Sequence, residues 1–309
     1  MLDPQARALL DLIIEKGVPP VHTLQPPEAR RMYLERRFFT EPDSPRLHEV
    51  RDFSAGGVPV RMYKARAVPP AVRQPVLVYF HGGGWTIGDR DTHDVLCRQL
   101  ALAAGCVVVS VDYRRGPEHP FPAAVDDCLA ATRWVRSQAS ELGIDPQRLA
   151  VGGDSAGGNL AAVVCLALRE SGAPLPAFQL LIYPATDMRA LAPSHTTNAQ
   201  GYLLTSDSIA WYRRQYINDP ERWSDWRASP LLAESLQGLP AALVLTAGYD
   251  PLRDEGRQYA DRLSAAGVPC QYICFARQIH GFVPMGRVID EANTAVELCA
   301  SVLRRALGG

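Results

Sequence analysis

A chain of 309 residues, 47% hydrophobic and 21% charged, can bury a large core and has the composition of an ordinary globular enzyme. Its 32 Lys and Arg offset 33 Asp and Glu to a net charge of −1, without the basic excess that a nucleic-acid footprint needs. No apolar run reaches the length of a membrane helix, about 18 residues, and the N-terminus lacks a secretory signal's basic region and apolar core, so a cytoplasmic protein with no membrane span is expected.

Two helices open the chain, Pro4–Lys16 and Glu28–Phe39, joined by a link that carries Pro19-Pro20 and Pro26-Pro27. Leu47–Phe53 and Val58–Lys64 flank Gly56-Gly57 and read as an antiparallel pair. Strands and helices then alternate. Strands are expected at Val76–Phe80, Val107–Val111, Leu149–Gly152, Phe178–Ile182, Ala242–Ala247 and Gln271–Phe275. Helices are expected at Asp91–Ala104, Ala123–Leu142, Ala156–Glu170, Asp254–Ala266 and Val288–Leu307. Most of these strands are continuous apolar runs, the pattern of strands covered on both faces, so the fold class is α/β with a mostly parallel sheet. Residues 188–230 interrupt the alternation and are rich in aromatics, among them Tyr202, Trp211, Tyr212 and Trp223; they read as a lid over the site. The seven cysteines form no C-x-x-C pair and read as free, buried thiols in a reducing cytosol.

Two glycine motifs carry the chemistry. Gly153-Asp154-Ser155-Ala156-Gly157 falls where a strand gives way to a helix, the context of a nucleophile elbow. Gly153 and Gly157 supply the small neighbours a tight turn needs, Ser155 is exposed as the nucleophile, and the following helix directs its N-terminal dipole at developing negative charge. His81-Gly82-Gly83-Gly84 begins where the strand Val76–Phe80 ends. Three glycines there let backbone N–H groups approach a substrate oxygen, so Gly83, Gly84 and Ala156 are the expected oxyanion donors and His81 a loop-orienting residue. A serine nucleophile needs a base and an orienting acid, which follow it in the order acid, then histidine. His195 and His280 are the histidines after Ser155; His195 lies in the lid segment, and His280 follows the last strand by a short loop. For the acid, Asp250 and Asp187 both follow strands; Asp250 is one strand closer to His280, and Asp187 is read as structural. Trp85, Tyr202, Leu203, Leu204, Trp211 and Phe282 are the expected walls of the substrate pocket, by placement alone.

His81–Gly84, Gly153–Gly158, Tyr183–Asp187, Asp250–Gly256 and His280-Gly281-Phe282 together resemble the bacterial hormone-sensitive-lipase-like carboxylesterases of the α/β-hydrolase superfamily. Asp112-Tyr113-Arg114 and Pro117–Ala124 extend the match to about residues 40–305. The resemblance implies an α/β-hydrolase fold with an eight-stranded sheet and a helical cap, no metal or cofactor, and hydrolysis of small-molecule short- to medium-chain carboxylic esters. It strengthens the Asp250–His280 pairing most. Because many relatives associate through the last strand and its helix, it also implies a homodimer. The expected division is residues 1–45 and 188–230 as cap, and 46–187 and 231–309 as α/β-hydrolase core. Two positions depart from the family: Arg115-Gly116 stands where Leu-Ala is usual, and Arg277 where a glycine usually precedes the histidine by three. An outward-facing Arg277 is the simpler reading; one turned inward would bring positive charge to the loop carrying His280. An amidase with the same triad is an alternative enzyme. A non-catalytic receptor is a third reading, which the presence of His280 opposes.

Overall fold

The computed structural model describes residues 1–69 and 71–308. Eight strands form one sheet in the order β1-β2-β4-β3-β5-β6-β7-β8. They are β1 (Glu49–Ala55), β2 (Val58–Lys64), β3 (Gln74–Phe80), β4 (Val107–Val111), β5 (Ile144–Asp154), β6 (Phe178–Ile182), β7 (Ala241–Tyr249) and β8 (Cys270–Ile279). β1 and β2 are antiparallel to each other, and β2 to β4; from β4 to β8 every pairing is parallel. The helices are α1 (Pro4–Glu15), α2 (Pro26–Thr40), α3 (Asp94–Ala104), α4 (Ala123–Ser137), α5 (Ala139–Leu142), α6 (Ala156–Glu170), α7 (Ser194–Thr197), α8 (Ser206–Tyr216), α9 (Arg253–Ala265) and α10 (Asp290–Ala306). Among the described residues no helix is long and apolar enough to cross a membrane.

The continuous apolar runs are explained by a core on each face of the sheet. Along β3, Val76, Val78 and Phe80 join a cluster with α4, α6 and α9, while Leu77 and Tyr79 join one with α3 and α10. Successive side chains point to opposite faces, so both sets must be apolar. Burying one such Val or Leu stabilises the fold by roughly 1.5–3 kcal/mol. Helix α6 is buried nearly all round because it lies on the sheet and beneath α4, whereas α10 buries a stripe of Ala292, Val296, Cys299 and Leu303.

Several elements differ from the sequence reading. The helix expected over Ala123–Leu142 is two, because Gln138 leaves helical geometry and Gly143 closes the short α5 in a left-handed conformation. Helix α3 starts at Asp94, three residues late, since the Asp89 carboxylate accepts the N–H groups of Asp91 and Thr92 and holds them in a turn. β8 runs to Ile279 instead of ending at Phe275. An irregularity opposite Gly248, where a Cβ would lie 2.0 Å from the Ala276 oxygen, lets the pairing resume at Tyr249 and Ile279. His280 therefore follows the strand directly, with no loop between. Five cysteines are buried, while Cys270 and Cys274 on the edge strand are half-buried; all seven are free thiols.

Glu41, just past α2, is buried with Oε2 lacking a hydrogen-bond partner. Burial pushes its carboxyl up from 4.5 to about 7. Between those values the folded chain binds more protons than the unfolded one, so this group's contribution to stability falls as pH rises. Glu41→Gln is expected to raise stability by up to about 3 kcal/mol at pH 8 and little at pH 5. Thermal melts of both proteins at the two pH values check this; an equal difference at both would refute it.

Candidate active site

Ser155 stands between β5 and α6 with φ +55° and ψ −116°, a conformation rare for a residue with a side chain. It persists because the surroundings leave no alternative. A Cβ at Gly153 would lie 2.3 Å from the Phe80 oxygen, and one at Gly157 only 1.8 Å from the same atom. β3, β5 and α6 thus meet at backbone distance, and the Ser155 N–H donates to the Ile182 oxygen at 2.8 Å. The hydroxyl is left pointing at His280, whose Nε2 lies 2.9 Å from Oγ.

His280 Nδ1 lies 2.7 Å from Oδ2 of Asp250, which is fully buried at the end of β7. A carboxylate only accepts, so Nδ1 carries the proton and Nε2 accepts from the Ser155 hydroxyl. Asp250 is itself fixed: its Oδ1 accepts the Leu252 N–H at 2.8 Å. The competing acid lies elsewhere. Asp187 receives Arg189 at 2.9 Å on each oxygen and makes no contact with His280. His195 pairs with Glu255 at 2.5 Å, and Glu255 also accepts the Thr186 and Asp187 N–H groups. Glu255, read from sequence as part of a helix start, is thus a buried tie between the segment after β6 and α9. Its burial raises its carboxyl above the ordinary range.

The glycine loop lies beside Ser155. Gly83 (φ +117°) and Gly84 (φ +57°) adopt conformations that disfavour side chains. A Cβ at Gly84 would strike the Tyr212 ring at 2.3 Å. Among the described residues neither glycine's N–H donates a hydrogen bond, and Ala156, first in α6, has no partner within its helix. Beneath the loop, Asp154 accepts from Tyr79 Oη at 2.7 Å and from the Gly82 N–H at 2.9 Å, and pairs with His93 at 3.2 Å. Burial alone would hold His93 below its usual value, but Asp154 outweighs it and raises it; the same contact lowers Asp154 despite its burial. His81 lies stacked on Tyr113, 4.1 Å between centroids, and burial pushes it down to about 3. It is neutral in any neutral solution and serves the loop's shape.

A cavity of about 860 Å³ with mainly apolar walls opens above Ser155 and His280. Trp85, Tyr202, Leu203 and Leu204 line it as expected from sequence. Trp211 and Phe282 do not. Trp211 packs against Ala29 and Ile87 behind the wall, and Phe282 is buried beside Tyr183 and Phe275. The residues that sequence reading missed come from both ends of the covering layer: Leu10, Ile13 and Tyr33 of α1 and α2, and Ile209, Tyr212 and Arg213 of α8. The aromatic richness of residues 188–230 was a signal for Tyr212; nothing local marked the others. The two family departures are also placed. Arg277 is half-exposed, its guanidinium 3.9 Å from Asp3, and its oxygen accepts the Asp3 N–H at 2.9 Å. Arg115 donates to the Gly88 oxygen, and Gly116 lets the carbonyl of Gln215 approach where a Cβ would lie 2.2 Å away. Arg30 of α2 reaches the Gly116 and Thr86 oxygens, each at 2.8 Å, and Glu118, tying the opening helices to this loop.

A serine, imidazole and buried carboxylate in line, with free N–H donors beside them on this sheet, define an α/β hydrolase. A family model described as alpha/beta hydrolase fold matches residues 77–284. The carboxylic ester hydrolase LipN of Mycobacterium tuberculosis is 45% identical, the match covering 84% of this chain and 71% of that protein. An ethyl acetate hydrolase of Pseudomonas putida is 39% identical over 99% of both chains. The structure of an ester hydrolase from the metagenome of Lake Arreo, complexed with a bipyridine phosphonate derivative, superimposes with a TM-score of 0.95 at 44% identity, covering 100% of each chain. The chain belongs to the hormone-sensitive-lipase-like carboxylesterase family of α/β hydrolases and is a hydrolase.

Proposed function

We propose that this hydrolase cleaves short- to medium-chain carboxylic esters by two acyl transfers through Ser155. The observation that carries the reading is the relay from Ser155 Oγ to His280 Nε2 at 2.9 Å and from His280 Nδ1 to Asp250 at 2.7 Å, beneath an apolar cavity. His280 takes the hydroxyl proton as Oγ attacks the ester carbonyl. The N–H groups of Gly83, Gly84 and Ala156 receive the oxyanion, and Asp250 holds the Nδ1–H tautomer and offsets the transient imidazolium. His280 then returns the proton to the departing alcohol. Water enters, gives its proton to the same nitrogen and attacks the acyl-enzyme carbonyl; collapse releases the acid and Ser155 recovers its proton.

Residues 1–45 and 188–230 act as the cap over a core of 46–187 and 231–309. Trp85, Tyr202, Leu203 and Leu204 shape the acyl and alcohol pockets directly, and Trp211 and Phe282 support the walls from behind. The names of the relatives, carboxylic ester hydrolase and ethyl acetate hydrolase, favour esters as substrates. Residues of α1, α2 and α8 wall the cavity, which bounds the acyl chain it accepts. Hydrolysis of p-nitrophenyl esters from acetate to laurate is expected to peak among the shorter chains. A rate that climbs through laurate would overturn the chain-length reading, and no hydrolysis by folded protein would overturn the activity.

A further inference from the structure

Most buried and half-buried charges lining the cavity are committed to partners. Asp154 pairs with His93, Asp187 with Arg189, Glu255 with His195, and His280 with Asp250. Arg213 on α8 is not. It is half-buried in the cavity wall, its guanidinium carbon 4.8 Å over the ring of Trp223. Among the described residues that guanidinium makes no hydrogen bond and no ion pair. Asp187 is already held by Arg189 and Glu255 is bonded to His195, so neither carboxylate is paired with Arg213. The location ties it to the chemistry: Arg213 lines the same cavity as Ser155 and His280. Arg36, stacked 4.5 Å over Tyr33 in the lining of the same cavity, makes no ion pair among the described residues and adds to the positive potential.

We propose that Arg213 receives a free carboxylate on the substrate, so that the preferred substrates are esters bearing one such group on their acyl or alcohol half. Partial burial of an unpaired guanidinium costs free energy that a bound anion would recover, in a wall otherwise suited to apolar groups. A planar carboxylate matches the guanidinium fork with two parallel hydrogen bonds. One negative charge balances Arg213, whereas a doubly charged phosphate would leave an excess beside Asp187 and Glu255. The inference rests on the esterase reading above and names its substrate class.

Two substrate pairs test it: mono-p-nitrophenyl adipate against p-nitrophenyl hexanoate, and 4-acetoxybenzoate against 4-methylphenyl acetate. Each pair exchanges a carboxylate for a methyl group, on the acyl half in the first and the alcohol half in the second. In at least one pair, kcat/KM for the anion is expected to exceed that of its neutral partner by about 10- to 100-fold, mainly through KM. That preference shrinks as salt is raised from about 0.05 to 0.5 M. Arg213→Gln lowers the anion-to-neutral ratio about tenfold or more, and Arg213→Lys restores part of it. The ratio cancels any general loss of activity from a disturbed cap. No preference in either pair, or a ratio untouched by Arg213→Gln, overturns this proposal and leaves ester hydrolysis standing. No hydrolysis of any of the four esters overturns the esterase reading, and this proposal with it.

Discussion

Ser155→Ala is expected to lower kcat about 10⁵- to 10⁶-fold while leaving the fold intact. Among the described residues the serine hydroxyl makes one hydrogen bond, the 2.9 Å approach to His280, so removing it leaves no network of unsatisfied groups. The strained backbone is imposed by Phe80, Gly153 and Gly157 packing at backbone distance, and alanine carries the same Cβ into the same conformation. What remains is the proposed N–H donors and the cavity, which on this reading still bind substrate and polarise its carbonyl without a nucleophile. A residual rate above water is therefore expected, with no burst of p-nitrophenol. Turnover and a thermal melt on one preparation check this. A melt near wild type with a rate within about 100-fold of wild type would remove Ser155 from its role.

Asp250→Asn is expected to cut kcat about 10³- to 10⁴-fold, and Asp187→Asn less than tenfold. The reason is the tautomer. Oδ1 of Asp250 accepts the Leu252 N–H at 2.8 Å, and an asparagine there keeps that bond only by turning its NH₂ toward His280. Facing a donor, Nδ1 must accept, and the proton moves to Nε2, where it opposes the Ser155 hydroxyl instead of taking its proton. Asp187 instead holds Arg189, and neither touches the imidazole. Comparable losses from both variants would transfer the orienting role to the segment after β6.

The site's chemistry was legible in the chain because its constraints leave glycines in short motifs. Gly153, Gly157 and Gly84 stand where a Cβ would meet backbone or a ring within about 2.3 Å, and such positions show as glycines, the first two flanking the serine and the third in the loop after β3. The central strands were legible because β3, β4 and β6 are buried on both faces, so their apolar runs are unbroken; their order in the sheet came from the structure. The choice of Asp250 over Asp187 leaned on chain order and on the family resemblance. β8 misled because its outer half is exposed on the sheet edge, so Ala276 and Arg277 carry no apolar signal although the strand continues to Ile279.

The sequence by itself determined the nucleophile elbow, the glycine loop, the parallel sheet and the α/β-hydrolase family. Which side chains face the cavity was decided by tertiary structure alone. On α8, Ile209, Tyr212 and Arg213 turn to the cavity while Trp211 and Tyr216 turn inward, and no pattern of hydrophobicity separates them, since both faces carry aromatics. The rotation of α8 is set by distant partners: Ala29 of α2 and Ile87 against Trp211, and Trp85 stacked 4.8 Å from Tyr216. The close approaches at the catalytic turn leave a mark in the sequence, because each demands a glycine. Substrate choice depends on packing between segments far apart in the chain, and that information exists only once they meet.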